Sequence, residues 1–128
     1  MENKKGIILF VDDEYYILQT FKAIFRREFK DYVLLFAQSG EEALEKLDQN
    51  KPSNDQPLLI FSDWLMPGLR GDELLLKIHE QFPQSIGFLL SGMINKEPDP
   101  EIFEKANIQQ VIVKPWNNEE LKQIVKKS

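Results

Sequence analysis

Cysteine is absent from the 128-residue chain, and histidine occurs once, at His79. The first absence rules out disulfides, thiolate metal sites and cysteine nucleophiles. The two together leave no hydrolytic triad to assemble. Long apolar runs are missing as well. The opening MENKKGIILFVDDE holds only the run Ile7 to Val11 before two aspartates, too little for a signal-peptide core and far too little for a membrane span. Positive charge is in deficit, with 16 Lys and Arg against 21 Asp and Glu and a net charge of −5. That balance argues against the chain gripping nucleic-acid phosphates by itself. No repeat period or low-complexity tract occurs, and neither G-x-G-x-x-G nor G-x-x-x-x-G-K-S/T follows the first apolar run, which disfavours a nucleotide-binding α/β domain. These exclusions leave one globular domain over 1–128, expected in the cytoplasm, bound neither to membrane nor to nucleic acid.

What is present alternates. Ile7 to Val11 has the length and character of a strand, and Ile17, Leu18, Phe21, Ile24, Phe25 and Phe29 follow at helical spacing. Tyr32 to Ala37 is a second strand. Ser39 to Glu42 has the S-x-x-E form of a capping box and opens a helix through Ala43, Leu44 and Leu47. A polar loop, Gln49 to Gln56, leads to a third strand from Leu58. Gly71 and Asp72 open a third helix, Ile86 to Leu90 is a fourth strand, and Asp99-Pro100 starts a helix over Glu101 to Ala106. A fifth strand, Val111 to Val113, and a helix begun by Asn117 to Glu120 complete five strand–helix units. Such alternation predicts a parallel sheet with helices on both faces and right-handed crossovers. Ligands of such sheets sit beyond the carboxyl ends of the strands.

Chemistry collects at those ends. The first strand runs into Asp12-Asp13-Glu14, the third into Asp63, the fourth into Ser91-Gly92 and the fifth into Lys114-Pro115. Each has an ordinary explanation taken alone. Asp12 or Asp13 could cap a helix, Asp63 could shape the turn before Met66-Pro67-Gly68, Ser91-Gly92 is a common turn pair, and Lys114 could be a solvated lysine. Together they form a pattern. Three carboxylates on one rim repel one another unless a cation joins them, and hard oxygen donors with room for water suit Mg²⁺ better than zinc. Carboxylate, hydroxyl, ammonium and metal are the parts of a phosphoryl-transfer site, in which Asp63 is the nucleophile.

These residues carry a resemblance. VDDE at Val11 to Glu14, the run from Asp63 to Gly71 (DWLMPGLRG), LLSG ending at Gly92 and VKP ending at Pro115 make the chain similar, over essentially its whole length, to response-regulator receiver domains of two-component signalling. The resemblance implies a flavodoxin-like, five-stranded doubly wound sheet in the order 2-1-3-4-5. It also implies a phosphorylation-controlled switch rather than an enzyme in the ordinary sense. Asp63 would be the phosphoacceptor, served by a histidine kinase or phosphotransfer protein. Asp13, Asp63 and the backbone carbonyl of Leu65 would ligate Mg²⁺, and Asp12 would act through metal-bound water. Lys114 would bridge carboxylate and phosphoryl oxygens, Ser91 would hydrogen-bond the phosphoryl group, and Pro115 would follow a cis peptide bond. The face made by the fourth helix, fifth strand and fifth helix would carry the output and could pair two copies. An output domain is expected after Ser128.

Two features depart from the family pattern. Many receivers have an aromatic residue where Val111 stands, so the switch is expected to act through Ser91, Gly92, Met93 and the residues just after. The residues that orient a hydrolytic water in the family are replaced by Leu65 and Met93. Two other functional classes compete. A phosphatase of the haloacid-dehalogenase type wants D-x-D, and Asp63-Trp64-Leu65 lacks the second carboxylate. A phosphate-independent docking domain would commonly have lost an acid or the lysine, and this chain keeps them. His79 is expected at the surface, Trp64 and Trp116 in packing roles, and Lys122, Lys126 and Lys127 in solvent beside the C-terminal end of the helix dipole.

Overall fold

The computed structural model describes residues 4–92 and 99–128. Met93, assigned to the switch, lies outside the described residues. Ten elements alternate without exception: β1 (Gly6–Val11), α1 (Tyr15–Glu28), β2 (Tyr32–Ala37), α2 (Gly40–Asn50), β3 (Leu58–Asp63), α3 (Gly71–Gln81), β4 (Ser85–Ser91), α4 (Pro100–Lys105), β5 (Ile108–Val113) and α5 (Asn118–Lys127). The strands form one sheet in the order β2-β1-β3-β4-β5, every neighbouring pair parallel. This is the flavodoxin-like architecture that the alternation and the resemblance imply.

Burial follows position in the sheet. β1 and β3 are central and buried at every residue, which is why GIILFV and LLIF read as unbroken apolar runs rather than alternating ones. β2, at one edge, is half-buried over most of its length. Successive side chains leave opposite faces of the sheet and build two cores. Leu9, Val11, Leu58 and Ile60 pack with α2 and α3 through Ala43, Leu47, Leu74 and Ile78. Ile8, Phe10, Leu59 and Phe61 pack with α1 and α5 through Leu18, Phe21, Phe25 and Leu121. The second core is rich in aromatic rings. Phe10 lies 4.8 Å from Phe21 and 4.9 Å from Phe25, and Phe61 stacks on Phe88 at 4.8 Å.

The elements extend past several of the expected boundaries. α2 continues to Asn50, where Lys51 takes a left-handed conformation and ends it. β5 begins at Ile108, earlier than expected, because Gln109 and Gln110 are exposed and hide the strand's pattern. α4 runs from Pro100 to Lys105, one residue ahead of the expected span. At α2, Ser39 Oγ accepts from Glu42 N–H at 3.0 Å, while the Glu42 carboxylate accepts from Gln38 N–H rather than from Ser39. The reciprocal half of the expected capping box is therefore displaced by one residue. At α5, Asn117 accepts from Glu119 N–H at 2.7 Å.

An acidic cluster at the carboxyl edge of the sheet

β1 and β3 are adjacent and parallel, so their carboxyl ends emerge side by side, with Val11 opposite Ser62. The residues that follow are Asp12 and Asp13 on one strand and Asp63 on the other. Carboxylate oxygens of all three lie within 4.8 Å of one another. Asp12 is fully buried, Asp63 nearly so, and Asp13 is exposed.

Each acid is held differently. Asp12 Oδ1 accepts from Glu14 N–H at 2.9 Å and so shapes the turn into α1; Glu14, not either aspartate, occupies the cap position and makes no side-chain cap bond. Asp12 Oδ2 is buried without a hydrogen-bond partner among the described residues. Such an orphaned oxygen is costly unless something supplies positive charge to it. Burial pushes the Asp12 carboxyl up to about 6, against the smaller opposing effect of the Glu14 N–H bond and with further upward pressure from Asp63. Asp63 is also raised, first by burial and then by Asp13, while Lys114 pulls it down.

The walls come from β4 and β5. Lys114 Nζ stands 3.6 Å from Asp63 Oδ1, on a loop fixed where Lys114 N–H donates to Ser91 C=O at 2.7 Å. The Lys114–Pro115 bond is cis. Ser91 is buried at the end of β4. Past β3, Trp64 N–H donates to Leu90 C=O at 3.0 Å and Gly71 N–H to Trp64 C=O at 2.8 Å, folding the DWLMPGLRG loop back on itself. Gly68 turns it at φ 80°. A Cβ on Gly71 would fall 2.3 Å from Asp63 C=O, so only glycine lets α3 start against the strand end.

The structure therefore brings together Asp12, Asp13, Asp63 and Lys114, with Ser91 closing the same rim. Leu65 is 45% exposed beside the cluster, and Gly92 is exposed. Val111 is half-buried and packs on the α2–α3 side of the sheet. The donor set fits a hard divalent cation: oxygens only, an orphaned buried carboxylate atom, and no histidine or thiol in reach.

Some roles lay outside the sequence reading. Trp116 stacks on Phe21 of α1 at 5.5 Å and takes Lys114 Nζ over its ring at 5.8 Å, so it packs and braces the lysine at once. His79 is not a free surface histidine: it is half-buried, with Nδ1 2.9 Å from Ser85 Oγ. Lys122 is not simply solvated either. Its Nζ lies 2.8 Å from Glu28 and 3.4 Å from Glu119, and Lys126 reaches Glu28 at 3.4 Å, tying α5 to α1. No signal in a single chain pairs residues that far apart.

A doubly wound sheet with an acidic cluster, a lysine and a buried serine on its carboxyl rim defines a phosphoacceptor class of α/β domain. The family model for the response regulator receiver domain matches residues 8–126. The chain belongs to the response-regulator receiver family. Its curated relatives include the hydrogenase transcriptional regulatory protein HoxA of Cupriavidus necator, 31% identical over 91% of this chain and 22% of that protein. Histidine kinase P4 of Formosa agariphila is 33% identical over 98% of this chain and 9% of that protein. The chain thus spans less than a quarter of either. Among solved structures, the signal receiver domain of an HD domain-containing protein from Pseudomonas fluorescens Pf-5 superposes with a TM-score of 0.77 at 27% identity, covering 99% of this chain and 88% of that one. NtrX from Brucella abortus superposes at 0.74 with 26% identity, covering 96% and 26%. The domain is a phosphorylation-controlled element of two-component signalling, partnered in general by histidine kinases. Receivers are phosphoacceptors rather than classical enzymes, and as a class they work with Mg²⁺.

Proposed function

We propose that Asp63 is the residue phosphorylated, and that Asp12, Asp13, Leu65, Ser91 and Lys114 serve that transfer. The carrying observation is the convergence of three carboxylates within 4.8 Å with Lys114 at 3.6 Å from Asp63. One Asp63 oxygen attacks the phosphorus of a phosphohistidine on a kinase or phosphotransfer protein; the phosphorus–nitrogen bond breaks, and the imidazole leaves and takes up a proton. Lys114 neutralises charge shared by Asp63 and the incoming phosphoryl oxygens, and the Ser91 hydroxyl donates to another of them. Asp13, Asp63 and the Leu65 carbonyl would hold Mg²⁺, with Asp12 acting through water. When bound, the ion offsets the negative charge that otherwise keeps a phosphoryl group away from three acids.

Readout follows from which groups change partners. When Ser91 and Lys114 turn to the phosphoryl oxygens they pull on β4, β5 and the cis-Pro115 loop. Moving a two-state equilibrium from 1:99 to 99:1 takes roughly 5.5 kcal/mol, and a hydrogen bond to a charged group contributes about 1.5–3 kcal/mol. Two such bonds supply most of it. With Val111 in place of an aromatic ring, the change is carried by Ser91 and Gly92, the expected continuation through Met93 lying outside the described residues, and the α4–β5–α5 face is the surface offered to an output domain or a second copy. Intact-mass measurement after incubation with acetyl phosphate tests the assignment. One phosphoryl adduct is expected with Mg²⁺, lost in Asp63→Asn and with EDTA; undiminished labelling in either case sinks it.

A further inference from the structure

β2 is an edge strand, and its free edge lies at the bottom of a groove. The groove has a volume of about 510 Å³ and is walled by α1 on one side and the end of α2 on the other. A second cavity of about 240 Å³ shares Lys22, Phe36 and Lys46 with it and continues it along the strand. None of the groove's residues belongs to the cluster around Asp63.

The floor is backbone with open valences. Ala37 C=O accepts from Asp12 N–H on β1 and Asp31 C=O accepts from Lys5 N–H, so odd-numbered residues direct their backbone groups to β1 and even-numbered ones outward. Of the outward groups, Tyr32 N–H is taken by Phe29 C=O and Phe36 C=O by Lys46 Nζ. Leu34 N–H, Leu34 C=O and Phe36 N–H have no partner among the described residues.

The walls are cationic in a chain whose net charge is −5. Lys22 and Arg26 stand one turn apart on α1, Lys30 lies just beyond its end, and Lys46, 3.9 Å from Glu42, faces them from α2. Among the described residues, no carboxylate pairs with Lys22, Arg26 or Lys30; Lys22 lies over the Phe36 ring at 5.7 Å. Helical residues four apart are separated by about 6 Å along the axis. Alternate residues of a strand are separated by about 6.6 Å. The Lys22–Arg26 step therefore matches the spacing of every second side chain of a strand laid against β2, and Lys30 extends the positive charge beyond the helix end. The opposite side chains of that strand would meet Leu35 and the amide groups of Gln49 and Asn50.

We propose that this edge binds an extended acidic peptide segment of a partner protein by strand addition, with acidic residues alternating with apolar ones. Main-chain bonds to Leu34 and Phe36 give the affinity and the cation row gives the sign of charge selected. Lysines at a sheet edge also discourage copies from pairing edge to edge. That role needs no groove and leaves the acidic peptide unbound.

The probe is a capped octapeptide of alternating glutamate and valine, titrated into the isotope-labelled chain and followed by amide shifts. Saturable shifts centred on Leu34 and Phe36 are expected. Binding should weaken at least tenfold in the Lys22→Glu/Arg26→Glu variant, and that variant should gain affinity for the lysine–valine peptide. The charge swap distinguishes loss of binding from loss of folding. The proposal is overturned by absence of shifts at millimolar peptide or by equal binding of the lysine–valine peptide to the wild type. It is overturned equally by tighter binding of ATP or inorganic polyphosphate at the same residues, or by sedimentation showing that the edge is filled by a second copy of the chain.

Discussion

Lys114 Nζ lies 3.6 Å from Asp63 Oδ1 and over the ring of Trp116, 5.8 Å from its centroid. The ammonium thus meets both an anion and an aromatic quadrupole. An aromatic face attracts a cation without neutralising it, so the charge stays available to Asp63, and the Trp116–Phe21 stack fixes the bracket to α1.

Removing that charge should slow phosphorylation. A charged hydrogen bond contributes about 1.5–3 kcal/mol, and each 1.4 kcal/mol of barrier is a factor of about ten in rate. Lys114→Met is expected to lower the rate of labelling by acetyl phosphate by roughly ten- to a hundredfold. Trp116→Leu, which keeps the lysine but not the bracket, should fall between the two. Rates from intact-mass time courses check both.

The acidic cluster predicts an inverted pH dependence for the metal-free chain. Asp12 is raised from 3.8 to about 6 by burial, so between those values the folded state holds more protons than the unfolded one. Stability then falls as pH rises through that window and stays reduced above it. Asp12→Asn retains an acceptor for Glu14 N–H and removes the charge. It should stabilise the chain at pH 7.5 by on the order of 2 kcal/mol and by little at pH 4. Saturating Mg²⁺ should erase the gain. Urea midpoints at the two pH values, with EDTA and with Mg²⁺, provide the measurement.

Gly71 ties fold to chemistry. Its missing Cβ would sit 2.3 Å from Asp63 C=O and 3.0 Å from Trp64 Cα, both backbone atoms that cannot rotate away. Gly71→Ala is expected to cost about 1–3 kcal/mol by overpacking and to lower labelling of Asp63, because relief requires the strand end to move. Gly92→Ala, where a Cβ would meet no atom of the described residues within 4 Å, is the control for stability alone and should cost much less. Thermal melts compare the two, and mass labelling reads the Gly71→Ala effect on the site.

The sheet and the rim were legible because both rest on local pattern. Central strands announce themselves as unbroken apolar runs, and Asp12, Asp13, Asp63, Ser91 and Lys114 all sit at strand ends, where topology alone brings them together. β5 looks shorter in the sequence than in the fold because its Gln109-Gln110 pair is solvent-exposed. The Glu28 pairs with Lys122 and Lys126, the His79–Ser85 contact and the Trp116 bracket depend on how helices pack across the sheet, which side-chain periodicity does not encode. The β2 groove is hidden for the same reason: its cations come from two helices, and its open backbone groups appear only once the strand order is known.

With Asp63 as the proposed acceptor, the lifetime of the phosphorylated form follows from what stands beside it. Hydrolysis requires a water placed in line with the bond between the Asp63 oxygen and phosphorus, and a polar side chain next to the site can orient it. Leu65 occupies one of the two positions that perform this task in the family, and it is 45% exposed. Its exposed apolar side chain offers a water no hydrogen bond. Met93, equally apolar, holds the other position, outside the described residues. A tenfold change in rate corresponds to about 1.4 kcal/mol, within what orienting one water contributes. Autodephosphorylation is expected to take on the order of tens of minutes or more, and Leu65→Asn combined with Met93→Glu should shorten it at least tenfold. Phosphate loss followed at fixed Mg²⁺ decides the matter. Decay of the wild type within seconds, or a double variant no faster than the wild type, would show that the lifetime is set elsewhere than by these two side chains.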